Sequence, residues 1–558
     1  MTNPHSLVPT PKKIFTSDGQ LSLNARRVTY SVMGVAESDR DILQNRLNEF
    51  SLTTLTDDLA DISFLFDNSL KSEEGYELKV TLEGISIRSN NLLGALHGIE
   101  TLKQLTDPNI YRSFMSTRMF KFPVCEIHDN PSIRWRGGLL DIARHFYDKD
   151  VILKTIDLFA VHKINYLQLH LTDDQGWRIE STKFPLLNSV GSFRKETQLS
   201  HFAEEKRFDS TPHGGFLSKE DIREIVAHAH SRGIVVVPEI ELPGHTGALL
   251  AAYPEFGIPK GERNVSTSWG IFKSLLSPVP KTIAFVEEIL EEIFELFPSP
   301  WIHVGGDESL QDIWLEDEEI QSLMQENKLT STQELFTNFM SQIGAFARSK
   351  GRTIITWDDA FASGFRNDTE TVIMAWRGTK IAQRAAKSGL EVILAPVVPF
   401  YFDYYQEESI DEPQAIGGPI SVADVLAFDT QDLGWSEAEN SKLLGCQFQL
   451  WTEFIRSSKQ VEYMMWPRAT AFAEIMWNGK PSDLESFEQL FLKHALRLEA
   501  LNVNFRPIKG PHPWQKAGNG VNAHVLGWDF HERTEAWDTA AQAEDLIYTP
   551  PPSVVLND

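Results

Sequence analysis

Two neighbouring carboxylates, Asp307 and Glu308, are the residues whose types and spacing point most directly to chemistry. They follow a short apolar run and two glycines in the stretch 301–306, a pattern that predicts a buried strand opening into a loop. Such a loop can aim both carboxyls at one ligand, whereas a regular strand would send them to opposite faces. Glycoside cleavage needs an acid that protonates the leaving oxygen and a second group that stabilises the anomeric cation, so the pair favours a glycosidase. Standing alone, it would fit an exposed acidic turn more simply.

The composition describes a large and acidic globular chain. Its 558 residues are 42% hydrophobic and 11% aromatic, which is enough for more than one buried core, so two domains are expected. The 52 basic and 78 acidic residues give a formal charge of −26, which repels phosphate backbones and anionic membranes. We therefore expect neither a nucleic acid nor a membrane as partner.

Cysteine usage and the chain start bear on cofactors and location. Cys125 and Cys446 are too few and too far apart for a disulfide framework or a structural zinc site, so we interpret them as buried thiols. No histidine pair has a recognised zinc spacing beside an acid, and neither a metal nor another cofactor is expected. Residues 1–13 contain no apolar run of signal-peptide length. A cytoplasmic protein is the expectation, with a missing leader as the alternative.

Residues 1–125 are predicted to form a small α+β domain. Apolar and polar residues alternate on both sides of a turn at Glu83 and Gly84, which is a hairpin pattern. A further strand is predicted at 62–66 and a helix at 92–102. No catalytic group stands out in this domain, which suggests an accessory role.

Residues 126–506 alternate short apolar strands with amphipathic helices. The helices have clear end signals, such as a capping box at Ser218 and Asp221 followed by Gly233. The predicted strands are 138–141, 165–171, 234–240, 301–305, 353–357, 372–376, 392–396 and 446–451. Eight strands in strict alternation with helices predict an α/β fold, a (β/α)8 TIM barrel, rather than an open sheet.

Polar and aromatic residues gather at the carboxyl ends of the predicted strands, the rim where barrel enzymes place their catalytic groups. These residues are Asp141, Arg144, His145, His170, Asp173, Asp174, Glu239, His245, Asp307, Glu308, Trp357, Asp358, Trp376, Arg377, Trp451 and Glu453. Random scatter would not produce this distribution.

Several long motifs in one order resemble glycoside hydrolase family 20, the β-N-acetylhexosaminidases. The motifs lie at 136–146, 163–178, 243–245 and 303–308, so the resemblance covers the barrel, and the N-terminal unit resembles the family's accessory domain. The resemblance implies an exo-acting, retaining enzyme that removes terminal N-acetyl-D-hexosamine from oligosaccharides or glycoconjugates.

The resemblance also implies roles at the reacting centre. Glu308 is similar to the general acid/base, and Asp307 to the residue that orients and charge-stabilises the substrate's 2-acetamido group. Tyr401 is similar to the tyrosine that hydrogen-bonds the acetamido carbonyl, and His245 with Asp173 to a relay that tunes the protonation of Glu308.

Further residues are similar to those that hold the terminal sugar. Arg144 and Glu453 resemble the pair that binds its hydroxyls, and Asp403 is placed for another hydroxyl. Without the motif, Arg144 would be interpreted as a structural partner of Asp141. The aromatic walls of the pocket are expected to be Trp357, Trp376 and Trp451.

The residue types themselves fit this chemistry. Adjacent ionised carboxylates raise each other's proton affinity, so one of them can stay protonated near neutral pH, and Glu308 is expected to hold that proton. If the substrate's own amide oxygen attacks the anomeric carbon, an oxazolinium ion forms, and an ionised Asp307 beside it stabilises the transition state more than the ground state. Family 20 is a known substrate-assisted exception to the two-carboxylate scheme.

Three alternatives remain open from the sequence. A conventional glycosidase would use a second carboxylate such as Asp174, Glu239 or Asp358 opposite Glu308. An inactive barrel that only binds sugar, and a metal-dependent hydrolase, are the other two.

Substrate identity and assembly are also open. The choice between N-acetylglucosamine and N-acetylgalactosamine rests on the geometry around one hydroxyl, and the aglycone on rim loops such as 191–216. The extension 507–558 matches no known chemistry and either packs on the barrel or reaches a partner subunit, with a homodimer as the hypothesis.

Overall fold

The structure, a computed structural model, describes residues 6–24, 27–51, 53–56, 59–112, 119–201, 204–366, 370–516 and 555–556. Two bodies of regular structure follow one another along the chain. The last strand of the first body ends at Asp129.

The first body is a mixed sheet of seven strands among the described residues. In chain order these are β1 Lys13–Asn24, β2 Val28–Met33, β3 Thr53–Leu55, β4 Ile62–Phe66, β5 Tyr76–Val80, β6 Ile85–Ser89 and β7 Met119–Asp129. They lie side by side in the order β1, β7, β5, β6, β4, β2, β3. The predicted hairpin is present as the antiparallel pair β5 and β6, and the predicted helix as Leu92–Gln104. Alternating burial in β7 continues to Asp129, so this sheet extends past the predicted limit at residue 125.

The second body is a closed parallel barrel whose eight strands follow one another in sequence order. They are β8 Trp135–Asp141, β9 Tyr166–His170, β10 Val235–Leu242, β11 Trp301–Gly305, β12 Thr353–Trp357, β13 Val372–Ala375, β14 Glu391–Leu394 and β15 Leu443–Leu450. The strands are buried on both faces because helices cover the outside and side chains fill the inside. The predicted TIM barrel is therefore confirmed.

Helices pack around the barrel and on the N-terminal sheet. Their bounds in the described part are Glu37–Asn48, Leu92–Gln104, Lys149–Val161, Lys219–His230, Gly247–Ala252, Pro280–Leu296, Glu318–Glu326, Thr332–Ser349, Asp358–Ala362, Thr379–Lys387, Val397–Phe400, Val422–Ala427, Glu437–Asn440, Ser458–Met465, Arg468–Asn478 and Leu484–Ala500. The capping box predicted at Ser218 and Asp221 is present in both directions.

A series of hydrogen-bonded polar side chains runs through the barrel interior and ends beneath the catalytic rim. At the bottom, the rings of Trp135 and Tyr166 stack with centroids 3.6 Å apart. The Trp135 indole donates to Gln447 (3.1 Å), the Gln447 amide to Gln168 (2.7 Å), and the Gln168 amide to Glu239 (2.8 Å). Because each of these buried polar groups has a hydrogen-bond partner, their burial costs little free energy, and the hydrogen bonds fix Glu239 in one position.

A buried charge network joins the two bodies. The ammonium of Lys163 lies 3.1 Å from the Asp129 carboxylate, 2.9 Å from the Tyr76 hydroxyl and 4.4 Å from the centroid of the Trp477 ring. The Trp477 indole also donates to Asp129 at 2.8 Å. Separating the bodies would leave an unpaired charge at a formerly buried site, so the network favours one fixed arrangement.

The chain end and the cysteines complete the fold. Val555–Leu556 pairs in parallel with Ile271–Phe272, so this part of the extension packs on the barrel's own loop. Residues 517–554 of the extension lie outside the described residues. Cys125 and Cys446 are buried free thiols, as predicted. Among the helices of the described part, none combines the length and apolar character needed to cross a membrane.

Candidate active site

The turn after β11 carries Asp307 and Glu308 in a strained backbone. Gly305 and Gly306 have φ values of 63° and 98°, and Glu308, which has a side chain, has φ 45°. Non-glycine residues in this left-handed region cost roughly 1–3 kcal/mol and cluster at functional sites. The turn breaks strand alternation, so both carboxyls lie beside the same histidine.

That histidine is His245, which follows β10. Its Nε2 lies 3.3 Å from Glu308 Oε2 and 3.9 Å from Asp307 Oδ2. Side-chain exposure is 6% for His245, 17% for Asp307 and 23% for Glu308, so the two acids face a partly open cleft while the imidazole lies behind them. This arrangement brings together three of the residues that the sequence singled out.

The other imidazole nitrogen is held by two carboxylates. His245 Nδ1 lies 3.1 Å from Asp174 Oδ2 and 3.4 Å from Asp173 Oδ1. Burial opposes protonation of His245, but the charges of Asp173, Asp174 and Glu308 outweigh it and raise its pKa well above the usual value. His245 is therefore an imidazolium that can hold an ionised Glu308.

Asp173, the expected relay residue, and its neighbour Asp174 both lie close to His245, and Asp174 is slightly closer. Asp173 accepts from Arg144 Nη2 at 2.8 Å and from His170 Nε2 at 2.9 Å, so its oxygens are largely committed elsewhere. Asp174 instead accepts from His245 and, at 2.8 Å, from the backbone N–H of Gly247. The sequence could not distinguish two adjacent aspartates, because the choice depends on how the strand ends.

We predict that Asp174→Asn lowers kcat more than it changes KM, by about 10- to 100-fold, because a neutral amide supports the His245 cation less well than a carboxylate. The alkaline limb of the kcat profile should move to lower pH, because His245 loses its proton more easily without the Asp174 carboxylate. Asp173→Asn is the matched variant, and it should mainly raise KM through Arg144. Steady-state kinetics from pH 4 to 9 would check this, and the opposite assignment of the two effects would restore the relay through Asp173.

The proton affinity of Asp307 is strongly perturbed in the free site. Burial is the main cause that raises its pKa to about 7, the charges of Glu308, Asp359 and Glu239 add to it, and His245 opposes it. The expectation that Glu308 holds the proton of the pair stays a prediction.

Arg144 lies between the carboxylates of Asp141 and Asp173. Its guanidinium contacts Asp141 at 3.3 Å and lies 5.0 Å above the Trp451 ring, in addition to its bond with Asp173. Its Nε has no hydrogen-bond partner although it is buried. Glu453 is close enough to raise the pKa of Arg144 further, against the effect of burial. Asp141 thus anchors Arg144, as the structural interpretation predicts, while the role of Arg144 in sugar binding stays a prediction.

Asp403 is a further buried acid, close enough to Glu453 and Arg144 for their charges to act on it. Both of its carboxyl oxygens are buried and unpartnered. Burial and then the Glu453 charge raise its pKa well above the usual range. A neutral or ionised carboxyl with free lone pairs suits a ligand hydroxyl, which would satisfy these oxygens.

Aromatic side chains surround the acids. Trp357 donates to Glu239 at 3.1 Å, and its ring lies 5.8 Å from that of Trp451. Trp376 donates to Asp359 at 2.8 Å. Tyr401 lies 6.3 Å from Trp451, centroid to centroid, and burial followed by the charge of Asp403 raises its pKa well above normal. The tyrosine therefore keeps its hydroxyl proton, and each tryptophan is held by its indole nitrogen.

The acids considered as conventional nucleophiles are engaged elsewhere. Glu239 accepts from Gln168, His170 and Trp357 and lies 2.8 Å from His303 Nδ1. Asp358 accepts from the backbone and side chain of Arg377. These hydrogen bonds make Glu239 and Asp358 supports of the site rather than free nucleophiles. The sequence predicted Glu239 as a rim residue and a possible nucleophile, whereas Glu241 was not singled out.

Some of these side chains are also arranged as metal ligands could be. Ligand atoms of His245, Asp307 and Glu308 lie within 4.8 Å of one another, as do those of Asp173, Asp174 and His245. Because the raised pKa of His245 makes it a cation, it is a poor ligand at neutral pH. These side chains therefore suit ion pairs between His245 and the neighbouring carboxylates better than they suit a bound metal ion.

Comparisons with known proteins agree with this architecture. A model described as glycosyl hydrolase family 20, catalytic domain, matches residues 133–480, and one described as glycosyl hydrolase family 20, domain 2, matches residues 4–130. A beta-hexosaminidase of Porphyromonas gingivalis is 33% identical over 480 residues, which cover 86% of this chain and 59% of that protein. A beta-hexosaminidase of Vibrio furnissii is 32% identical, with 84% of this chain and 76% of that protein covered. The chain thus spans less than two thirds of the first relative's length.

Solved structures give the same picture. The exo beta-N-acetylglucosaminidase of Vibrio harveyi, solved with N-acetylglucosamine, superposes with a TM-score of 0.78 at 28% identity, covering 91% of this chain and 79% of that one. The beta-N-acetylhexosaminidase of Bacteroides fragilis gives 0.75 at 28% identity, covering 89% and 96%. Since the catalytic-domain model matches more than half of the residues, the chain belongs to glycosyl hydrolase family 20.

Proposed function

We propose that this enzyme is an exo-acting, retaining β-N-acetylhexosaminidase that removes terminal non-reducing GlcNAc, GalNAc or both by substrate-assisted catalysis. The observation that carries the proposal is that Asp307 and Glu308, which one strained turn carries, both lie against His245. The names of the relatives, beta-hexosaminidase and exo beta-N-acetylglucosaminidase, support the same substrate class.

The first chemical step cleaves the glycosidic bond. The substrate's amide oxygen attacks the anomeric carbon from the face opposite the leaving group, and the bond to the leaving oxygen breaks. Glu308 gives its proton to that oxygen, so the aglycone leaves as a neutral alcohol. The sugar is left as an oxazolinium ion, whose positive charge is spread over the former amide.

The second step restores the enzyme and the sugar. Ionised Glu308 takes a proton from water, whose oxygen attacks the anomeric carbon and breaks the bond to the amide oxygen. Two displacements at one carbon retain its configuration. His245, held by Asp174, stabilises Glu308 while it is ionised.

Binding of the substrate should favour the ionised form of Asp307, whose pKa is raised to about 7 in the free site. The acetamido N–H donates a hydrogen bond to that carboxylate, and the positive charge that develops on the amide as the oxazolinium ion forms favours the ionised form further. Glu308 holds the proton that it needs as general acid. Tyr401, which keeps its hydroxyl proton, donates to the amide oxygen and orients it for attack.

The remaining residues position the terminal sugar. The free Nε donor of Arg144 and the unpartnered oxygens of Asp403 suit hydroxyls of the sugar. The charge of Glu453 acts on both residues. Trp357, Trp376 and Trp451 supply apolar faces for the ring and the acetamido methyl group. The homodimer and the cytoplasmic location stay predictions from the sequence.

Side-by-side assays of three nitrophenyl glycosides test the function. The N-acetyl-β-glucosaminide, the N-acetyl-β-galactosaminide or both should be hydrolysed, whereas the β-glucoside without the acetamido group should react at least roughly 10³-fold more slowly, because it lacks the internal nucleophile. Activity should survive exhaustive chelation, and a thiazoline mimic of the cyclised intermediate should inhibit. Comparable rates on the β-glucoside, or a glycosyl adduct on an enzyme carboxylate, would refute substrate assistance.

A further inference from the structure

Glu241 is a buried acid beneath the catalytic turn that the mechanism above does not use. It lies on β10 two residues after Glu239, and its side chain is 1% exposed. The pairing of β10 with β11 shifts between Glu239 and Leu242, where β10 spans three residues against two from His303 to Gly305. This is a β-bulge, a feature that redirects a side chain next to active sites.

The carboxyl of Glu241 rests directly against the backbone that carries the catalytic pair. A Cβ atom added to Gly305 would lie 1.8 Å from Glu241 Oε2 and 2.6 Å from its carboxyl carbon. A side chain at position 305 therefore cannot coexist with this carboxyl. The glycine thus serves two purposes, since it also takes up φ 63° at the turn.

Two buried carboxyl oxygens in this region have no hydrogen-bond partner. They are Glu241 Oε2 and Asp307 Oδ1. Two ionised carboxylates cannot satisfy each other because both only accept hydrogen bonds, whereas a protonated carboxyl can donate to an ionised one. One proton on Glu241 would therefore provide the missing donor for this pair of oxygens.

We propose that Glu241 is a positioning residue that keeps its proton and donates a hydrogen bond, directly or through one water, to the ionised carboxylate of Asp307. This inference rests on the proposed substrate-assisted function. A donor on Asp307 stabilises its ionised form and fixes its direction, which is what the carboxylate needs when it faces the oxazolinium ion.

The surroundings of Glu241 agree with a neutral carboxyl. Burial is the largest effect that raises its pKa well above the usual value, and the carboxylates of Asp307, Glu239 and Asp173 add to it. The cation that opposes this is His245. His170, 3.8 Å from Glu241 Oε1, is closer to Glu239 at 2.7 Å and is engaged by it. More negative than positive groups therefore face Glu241.

Two substitutions of nearly equal size test the proposal. Glu241→Gln keeps a neutral donor, and kcat on nitrophenyl N-acetylglucosaminide should stay within about 10-fold of the wild type. Glu241→Met removes the donor, and kcat and thiazoline affinity should both fall by about 10- to 100-fold with little change in KM. The acid limb of kcat/KM should also move to higher pH in Glu241→Met, because Asp307 loses a group that favours its ionised form.

Equal behaviour of the two variants, whether both active or both impaired, would overturn the proposal. A merely structural role would lower the thermal midpoint and affect KM and kcat alike. If Glu241→Met does not fold, difference infrared spectra decide: a protonated carboxyl band at pH 7 that is missing from Glu241→Gln supports the proposal, and no such band overturns it. Failure of the wild type to prefer acetamido substrates would refute the function itself, which separates the two results.

Discussion

Glu308→Gln should lower kcat/KM for glycosides with poor leaving groups, such as chitobiose, by roughly 10²- to 10⁴-fold, the usual range for a positioned general acid. With a dinitrophenyl leaving group, the loss in the first step should be less than about 10-fold, because that phenolate leaves without a proton. The expected result is therefore a steep dependence of the mutational effect on the pKa of the leaving alcohol.

The structure gives this variant a clean interpretation. Gln has nearly the size of Glu and can still accept a hydrogen bond from His245, whose Nε2 lies 3.3 Å from the Glu308 carboxylate. The left-handed φ of 45° at residue 308 is a property of the backbone, so the backbone strain is the same for Glu and for Gln. The two side chains thus differ mainly in their ability to transfer a proton.

Pre-steady-state bursts on a series of aryl and alkyl N-acetylglucosaminides would measure the effect on glycosidic cleavage separately from hydrolysis of the intermediate. Glu220→Gln is a suitable control, because its carboxylate lies on a surface helix with the side chain 83% exposed. An equal loss on every leaving group would show that Glu308 has another role, such as holding His245.

The barrel was predictable because its signals are local and repeated. Each strand is a short apolar run between amphipathic helices, and a closed parallel barrel brings all its carboxyl ends to one rim. The approximate neighbourhood of Arg144, His245 and Asp307 follows from that topology alone. The motif resemblance then added roles that the pattern of residues could not supply.

The sequence could not show which of two neighbouring residues of the same type has a given role. Whether Asp173 or Asp174 supports His245 depends on the direction of two side chains after β9, and the 3.1 Å and 3.4 Å distances differ little. Glu241 could not be recognised either, because regular strand alternation does not reveal a bulge. Protonation also depends on three-dimensional burial, which is why the raised pKa of Asp307 could not be predicted from the sequence.

Asp307→Asn should cut turnover by roughly 10²- to 10⁴-fold on good and poor leaving groups alike, since the carboxylate acts on the charge of the oxazolinium ion and not on the departing oxygen. The neutral amide can hold the substrate but cannot balance that charge, so KM should change much less than kcat. Thiazoline affinity should fall in parallel with kcat, because the inhibitor resembles the cyclised intermediate.

The same variant should also change the pH dependence. The pKa of Asp307 is raised to about 7 in the free enzyme, so its ionised form is lost as the pH falls below that value. Wild-type kcat/KM, which reports the free enzyme, should therefore decline on the acid side near neutral pH, and Asp307→Asn should lack that limb. Asp312→Asn, an exposed aspartate in the segment that follows, is the matched control. If the acid limb persists in Asp307→Asn, the titrating group belongs to another member of the acid cluster, and the charge of Asp307 does not limit the reaction.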